Sequence, residues 1–334
     1  MLRSALPVLA VSLSLVGCGL VDPSVREPAP LDVPAGFEPV PIPTHNPLTA
    51  EKVELGERLF HDPRLSETGT VSCASCHFEN VAFADPRHVS PGVHGRLGIR
   101  NSPSLVNVAY LDLLFWDGGS LTLEGQALAP IEAEFEMNMN LGDLIGGLEA
   151  DASYREAFDE AFGKGPSVQT LTAALAAFQR TIRSGGSRFD RHEQGQTDAL
   201  SPSEKRGLEL FRGKANCASC HNGFLLTNQA FENNGIEPAG SDSGRARITG
   251  SPEDFLRFRV PSLRNVDITA PYMHDGRFNA LEDVIDHYDR GGSGVRNQSP
   301  LIRPLRLSEA EKADLLAFLK ALTDDIILTG LPHD

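Results

Sequence analysis

The chain has 334 residues, 40% of them apolar, with 45 acidic against 30 basic side chains and a formal net charge of -15. That is enough chain for two domains with proper cores. The negative balance excludes nucleic acid as a partner, because phosphate binding needs a positive field.

Residues 1–17 read as an export signal. Arg3 gives a short positive region, and Leu6 to Val16 is mostly apolar but too short to span a bilayer. Leu15-Val16-Gly17-Cys18 resembles the lipobox of bacterial lipoproteins, which implies a lipid-bearing Cys18 and a membrane contact through that anchor alone. A plain signal peptide with an incidental cysteine is the alternative. Residues 18–48 are proline-rich and read as an extended tether.

Thr49 to Phe60 is predicted as the first helix, capped by Thr49, with Val53, Leu55, Leu59 and Phe60 on one stripe. Cys73-Ala74-Ser75-Cys76-His77 follows, and the same string returns as Cys217-Ala218-Ser219-Cys220-His221. Two thiols at this spacing can add across the two vinyl groups of one haem, and the next histidine is placed to bind its iron. Two thioredoxin-like dithiols, or one all-cysteine zinc cage, would use the same thiols but leave both histidines unexplained. Two covalent haem c groups are therefore expected, using four of the five cysteines.

Residues 78–102 read as loop. Leu141 to Phe162 reads as an interrupted helix and Val168 to Ile182 as a clearer one, stopped by Gly185 and Gly186. The polar run Arg188 to Leu200 reads as an interdomain linker. Ser201, Pro202 and Glu204 form a helix start with a capping box, the helix running to Phe211. Ser308 and Glu311 repeat that box before a last helix through Leu322. Residues 222–258 look irregular and suit substrate or partner loops.

An internal repeat organises these elements. Leu55 to Phe60 precedes the first cysteine motif as Arg206 to Phe211 precedes the second. Further on, Pro103-Ser104-Leu105 matches Pro261-Ser262-Leu263, Asn107 matches Asn265, Trp116-Asp117-Gly118 matches His274-Asp275-Gly276, and Leu123-Glu124 matches Leu281-Glu282. These later pairs share one constant offset of 158 residues. The expected fold is all-α with few strands: two pseudo-symmetric cytochrome c-type haem domains over residues 49–195 and 196–334.

The chain resembles the bacterial di-haem cytochrome c peroxidase and MauG family over residues 50–325. The blocks that carry the likeness are His61-Asp62-Pro63-Arg64, the two Cys-Ala-Ser-Cys-His strings, Arg100 to Leu105, Phe115-Trp116-Asp117-Gly118, Glu136-Met137, and Pro271 to Gly276. The resemblance implies a peroxide-reactive haem in the N-terminal domain, on His77, and an electron-transfer haem in the C-terminal domain, on His221.

In the peroxidase branch a methionine is the second ligand of the C-terminal iron. Here that position falls on Tyr288, as in MauG-like proteins, and a phenolate oxygen favours ferric or higher iron where thioether sulfur favours ferrous iron. A packed aromatic is the other reading of Tyr288, and His287 is a rival ligand, although adjacent helical side chains diverge and one alone should reach the iron. The repeat maps Tyr288 onto Pro130, which cannot ligate, so the first haem is expected to keep an open side. Glu136 matches the family's distal glutamate, suited to move a proton between peroxide oxygens. Gln126 matches a hydrogen-bonding neighbour, and Trp116, the single tryptophan, matches a relay between the haems. An ordinary surface acid and a core aromatic are the plain readings of Glu136 and Trp116.

His94 lies in the loop that supplies a gated ligand to the first iron in resting peroxidases, one residue later than their spacing; His88 is a weaker candidate. Asn101, Thr269 and Pro271 match a calcium site between the domains, and Arg100 and Arg264 are expected to pair with haem propionates. Together these features imply an exported, periplasmic enzyme, lipid-anchored to the outer or inner membrane. It would use hydrogen peroxide to form a high-valent iron state that oxidises a tryptophan or tyrosine of a partner protein. The alternative is a cytochrome c peroxidase drawing electrons from a small cytochrome or copper protein, and a third reading is a pure electron carrier.

Overall fold

The computed structural model describes residues 31–237 and 242–331. The expected signal segment, Cys18 and the tether up to residue 30 lie outside the described residues. Among the described residues the fold is helical, with a single two-stranded antiparallel sheet. Helix α1 (Ala50–His61) starts where the Thr49 hydroxyl accepts the Lys52 amide, and it buries Val53, Leu55, Leu59 and Phe60. Helices α2 (Leu123–Glu132), α3 (Leu141–Ala150) and α4 (Ala152–Phe162) follow, then α5 (Val168–Gln179). The expected interruption near 150 is Asp151, which ends α3 and caps α4 by accepting the Ser153 amide. Helix α5 ends at Gln179, short of the expected Ile182.

Helix α6 (Arg188–Glu193) lies inside the run expected to be a linker. Phe189 is buried in the second core cluster, with Leu200, and Asp190 is buried against Arg264. The linker reading fails because one aromatic and one paired acid anchor an otherwise polar run. These contacts tie Phe189 and Asp190 to residues of the second half.

Helix α7 (Pro202–Arg212) has the expected capping box on Ser201 and Glu204. Strand β1 (Phe231–Glu232) pairs with β2 (Phe258–Arg259), and the short helix α8 (Ala246–Thr249) lies between them in sequence. Helices α9 (Leu281–Arg290) and α10 (Glu309–Lys320) complete the chain, α10 again with its Ser308–Glu311 box.

Two separate core clusters correspond to the two halves. They are built alike. Helix α1 crosses α5 at Gly56, where a Cβ would run into the Ala174 carbonyl; α7 crosses α10 at Gly207, where it would meet the Asp314 carbonyl. Beside each crossing two phenylalanines pack at nearly the same geometry: Phe60 on Phe178 at 5.2 Å and 56°, Phe211 on Phe318 at 5.1 Å and 59°. Asn107 and Asn265 hold the same left-handed turn, each with φ of 59°. The β-bridges Leu114–Ser120 and Tyr272–Phe278 repeat at the sequence offset.

The expected tether is not free where it is described. Phe37 packs on Phe224 at 4.8 Å and under the Arg264 guanidinium at 4.5 Å. Asn46 and Leu48 are buried, and Asn46 donates to the Ala173 carbonyl. Residues 31–48 run with two turns, closed by Phe37 N to Pro34 O and Asn46 N to Pro43 O, and Val40, Asn46 and Leu48 are buried in the body of the protein. At the other end, Leu328 bridges to Arg183, and Ile327 and Leu331 pack back on the first cluster. No helix among the described residues is long and apolar enough to cross a membrane.

The two glycine crossings should tolerate no side chain. Gly56→Ala or Gly207→Ala should each destabilise by about 1–3 kcal/mol, since a backbone carbonyl cannot step aside. Gly146→Ala on α3, where a Cβ meets open space, should stabilise by about 0.4–1 kcal/mol. Urea denaturation of the three variants checks this order.

Candidate haem sites

Each cysteine motif folds as a single 3-10 turn that follows the first helix of a glycine-crossed pair, Cys73–Ser75 after α1 and Cys217–Ser219 after α7. All four thiols are unpaired and half-buried. Burial pushes Cys73 and Cys217 up to about 12, so each stands as a thiol.

The histidines that follow are fixed by main chain. His77 Nδ1 lies 2.9 Å from the Phe83 carbonyl, and His221 Nδ1 lies 3.2 Å from the Leu226 carbonyl. A carbonyl can only accept, so Nδ1 carries the proton in both rings and Nε2 keeps a lone pair. Burial lowers both histidines, His221 to about 4, so both are neutral near pH 7. The carbonyl-bearing loops are pinned in turn, because Ser104 Oγ donates to Ala82 O and Ser262 Oγ to Leu225 O, both at 2.6 Å. Two unpaired thiols, a neutral imidazole with a free Nε2 and an apolar surround make a donor set that fits a thioether-linked haem in each half.

In the second half, Cys217, Cys220, His221, Tyr288 and Trp116 line one cavity between the halves. The Tyr288 hydroxyl accepts from Asn234 Nδ2 at 3.3 Å, and burial pushes its phenol up to about 12. Such a phenol loses its proton to solvent only when a cation placed against the oxygen stabilises the phenolate. His287 is turned away, with its Nε2 2.9 Å from the Asn234 carbonyl. Of the two adjacent candidates, Tyr288 therefore faces the cavity.

On α9, Leu281, Val284, Ile285 and Tyr288 form the cavity wall. Shifted back by the repeat, the matching positions on α2 are Leu123, Gln126, Ala127 and Pro130. Gln126 and Pro130 are one turn apart and share a helix face. Glu136 follows α2 in a loop clamped from both sides: Val93 N donates to Glu136 O at 2.8 Å, and Glu67 N donates to Met137 O at 2.9 Å. Desolvation by the surrounding chain raises the Glu136 carboxyl even though the residue is exposed at the surface, and its charge adds to the rise of both Cys73 and Cys76. Glu136 is thus close to the first cysteine pair.

His94 is not brought to that site. It sits at a left-handed position, φ 57°, with its side chain 50% exposed and Nε2 3.2 Å from Glu67. Trp116 is at the junction of the halves: its Nε1 donates to Asn101 O at 2.9 Å, and its carbonyl accepts from Arg259 N at 2.8 Å.

The two arginines expected at propionates are committed elsewhere. Arg100 makes two bonds to Asp242 and one to Asp117, all 2.7 Å, and Arg264 makes two to Asp190 at 2.8 and 2.9 Å. Each guanidinium thus already faces a carboxylate of the protein itself. Arg259 was missed; it is 5% exposed, lines the cavity, and its Nη1 has no hydrogen-bond partner. Asn101, Thr269 and Pro271 all line the cavity. They offer neutral oxygens, however, and no group of three or more His, Cys, Asp or Glu side chains suited to a metal exists among the described residues.

Comparison with known proteins gives the same frame. A family profile described as di-haem cytochrome c peroxidase matches residues 50–198. The methylamine utilization protein MauG of Methylorubrum extorquens is 41% identical over 301 residues, covering 89% of this chain and 85% of that protein. The cytochrome-c peroxidase IdrP1 of a Pseudomonas species is 38% identical, covering 86% of this chain and 85% of its own. A crystal structure of a MauG-like protein associated with microbial copper homeostasis superposes with a TM-score of 0.83 at 39% identity, over 88% of this chain and 95% of that one. With its two cysteine motifs in matched helical halves, the chain belongs to the family of di-haem cytochrome c peroxidases and MauG proteins, haem enzymes of the peroxidase and oxidase type.

Proposed function

We propose that the protein uses hydrogen peroxide to oxidise a tryptophan or tyrosine side chain of a separate protein. The observation that supports this reading is the asymmetry at one repeated position, Tyr288 on the wall of the cavity that His221 also lines and Pro130 in its place on α2. Cys73, Cys76 and His77 would hold one haem, and Cys217, Cys220, His221 and Tyr288 the other. Bound there, haem supplies iron redox chemistry with peroxide.

The protein's own groups do the rest. Pro130 leaves one side of the first site without a ligand. Glu136 moves a proton from one peroxide oxygen to the departing one, and its raised affinity for protons suits a group that must both take and give. Gln126, on the face of α2 shared with Pro130, hydrogen-bonds peroxide or water. Trp116, at the junction, passes electrons between the halves. Two electrons from the partner's side chain and two protons turn each peroxide into two waters.

A second reading keeps the same residues and takes the electrons from a small cytochrome or copper protein instead. It is favoured by the similarity to IdrP1, a cytochrome-c peroxidase, nearly equal to that to MauG. A periplasmic location accords with covalent haem attachment outside the cytoplasm and with the export-like segment, and Cys18 would carry the lipid.

Two variants test the assignment. Tyr288→Met exchanges a hard anionic ligand for a sulfur that favours ferrous iron, so the midpoint potential of the second haem should rise. An unmoved potential would mean that Tyr288 is only a packed aromatic. Glu136→Gln should slow the reaction with peroxide by roughly 10²–10⁴-fold without changing either haem spectrum; a stopped-flow rate equal to wild type would remove Glu136 from the chemistry. The same variant has a stability signature. A carboxyl raised by burial binds its proton more tightly folded than unfolded, so wild-type stability falls as pH climbs from the ordinary 4.5 through the folded value. Urea titrations across that window should show the fall in wild type and none in Glu136→Gln.

A further inference from the structure

Arg259 is a buried cation without an anion. It stands on β2 with 5% of its surface exposed. Its Nη1 has no hydrogen-bond partner, and its Nε reaches only the Phe115 carbonyl, at 3.4 Å. No carboxylate among the described residues forms an ion pair with it, whereas Arg100, Arg247 and Arg264 nearby are each bound to an aspartate. Burial alone pulls its pKa down to about 10, so the charge persists at neutral pH. An isolated buried charge is costly, and proteins keep one when something else supplies the counter-charge.

Where Arg259 lies says what that is. It lines the cavity of Cys217, Cys220, His221 and Tyr288, and its own backbone amide donates to the Trp116 carbonyl. A planar guanidinium with an unused N–H edge matches a carboxylate. We infer that Arg259 holds a propionate carboxylate of the second haem and so fixes that haem's edge beside Trp116. The inference rests on haem being carried by Cys217, Cys220 and His221. It makes Arg259 a positioning residue: it touches the cofactor's side chain, sets the distance from haem edge to tryptophan, and biases the second haem toward the ferrous state by its charge.

The test uses full-length holoprotein of wild type, Arg259→Gln and Arg259→Lys. A haemochrome assay first confirms two c-type haems per chain; wild type with fewer would overturn the haem assignment itself and is separable from failure of this inference. Arg259→Gln should lower the midpoint potential of the second haem and leave the first unchanged. Arg259→Lys should keep the potential near wild type but move the propionate bending band in the resonance Raman spectrum, because a point charge replaces a two-pronged donor. Unmoved potential and unmoved band, with both haems bound, would overturn the inference. So would a wild-type potential that tracks the concentration of chloride or acetate, since the counter-ion would then be a diffusible anion. Should Arg259→Gln not accumulate as holoprotein, the Raman band of Arg259→Lys decides in the same way.

Discussion

Two hydrogen bonds between an imidazole and a main-chain carbonyl carry this structure. Phe83 O holds His77 and Leu226 O holds His221, and each bond decides which ring nitrogen keeps a lone pair. Neither carbonyl is in place by itself. Ser104 and Ser262 pin the residues before them. The Asn107 and Asn265 turns that follow hang from the carbonyls of Ile182 and Leu322, just beyond α5 and α10. Those helices cross α1 and α7 at glycines, and α1 and α7 lead into the cysteine turns. A side chain at Gly56 or Gly207 would therefore disturb a histidine that it never touches.

The halves share this frame and differ where chemistry differs. Position 288 is a buried phenol on α9, and its counterpart on α2 is proline. Position 116 is tryptophan, and its counterpart His274 stacks on Phe258 at 3.7 Å. The acid Glu136 sits in a loop clamped by the Gly92–Arg96 turn, with no room at Gly92 for even a methyl group. The two halves keep matching cradles, and a few substitutions on the facing walls put a buried phenol in one and a proline at the matching position of the other.

Much of this was legible in the sequence because it is local. Helix caps at Thr49, Ser201 and Ser308 depend on residues three apart, and the cysteine motifs and constant repeat offset need no folding to be seen. That only one of the neighbours His287 and Tyr288 would face the cavity followed from helix geometry. What could not be read depends on distant partners. Arg100 is spoken for by Asp242, 142 residues away, and Arg264 by Asp190, 74 residues away. Nothing in the sequence distinguishes them from Arg259, which has no such partner among the described residues. Phe189 and Phe37 each lie in a stretch whose composition reads as linker or tether, and only the tertiary core reveals them as anchors. His94 was placed in the right loop, but its exposure and its pairing with Glu67 are outcomes of packing.

The central claim is that one half keeps an open iron and the other does not. The most direct measurement is a low-temperature electron paramagnetic resonance spectrum of the fully ferric holoprotein, with no reductant added. The account predicts one high-spin and one low-spin ferric component in equal amounts, the high-spin one lost on adding cyanide. Two low-spin components and no response to cyanide would contradict it, because both irons would then hold two protein ligands and the Pro130 side would not be open.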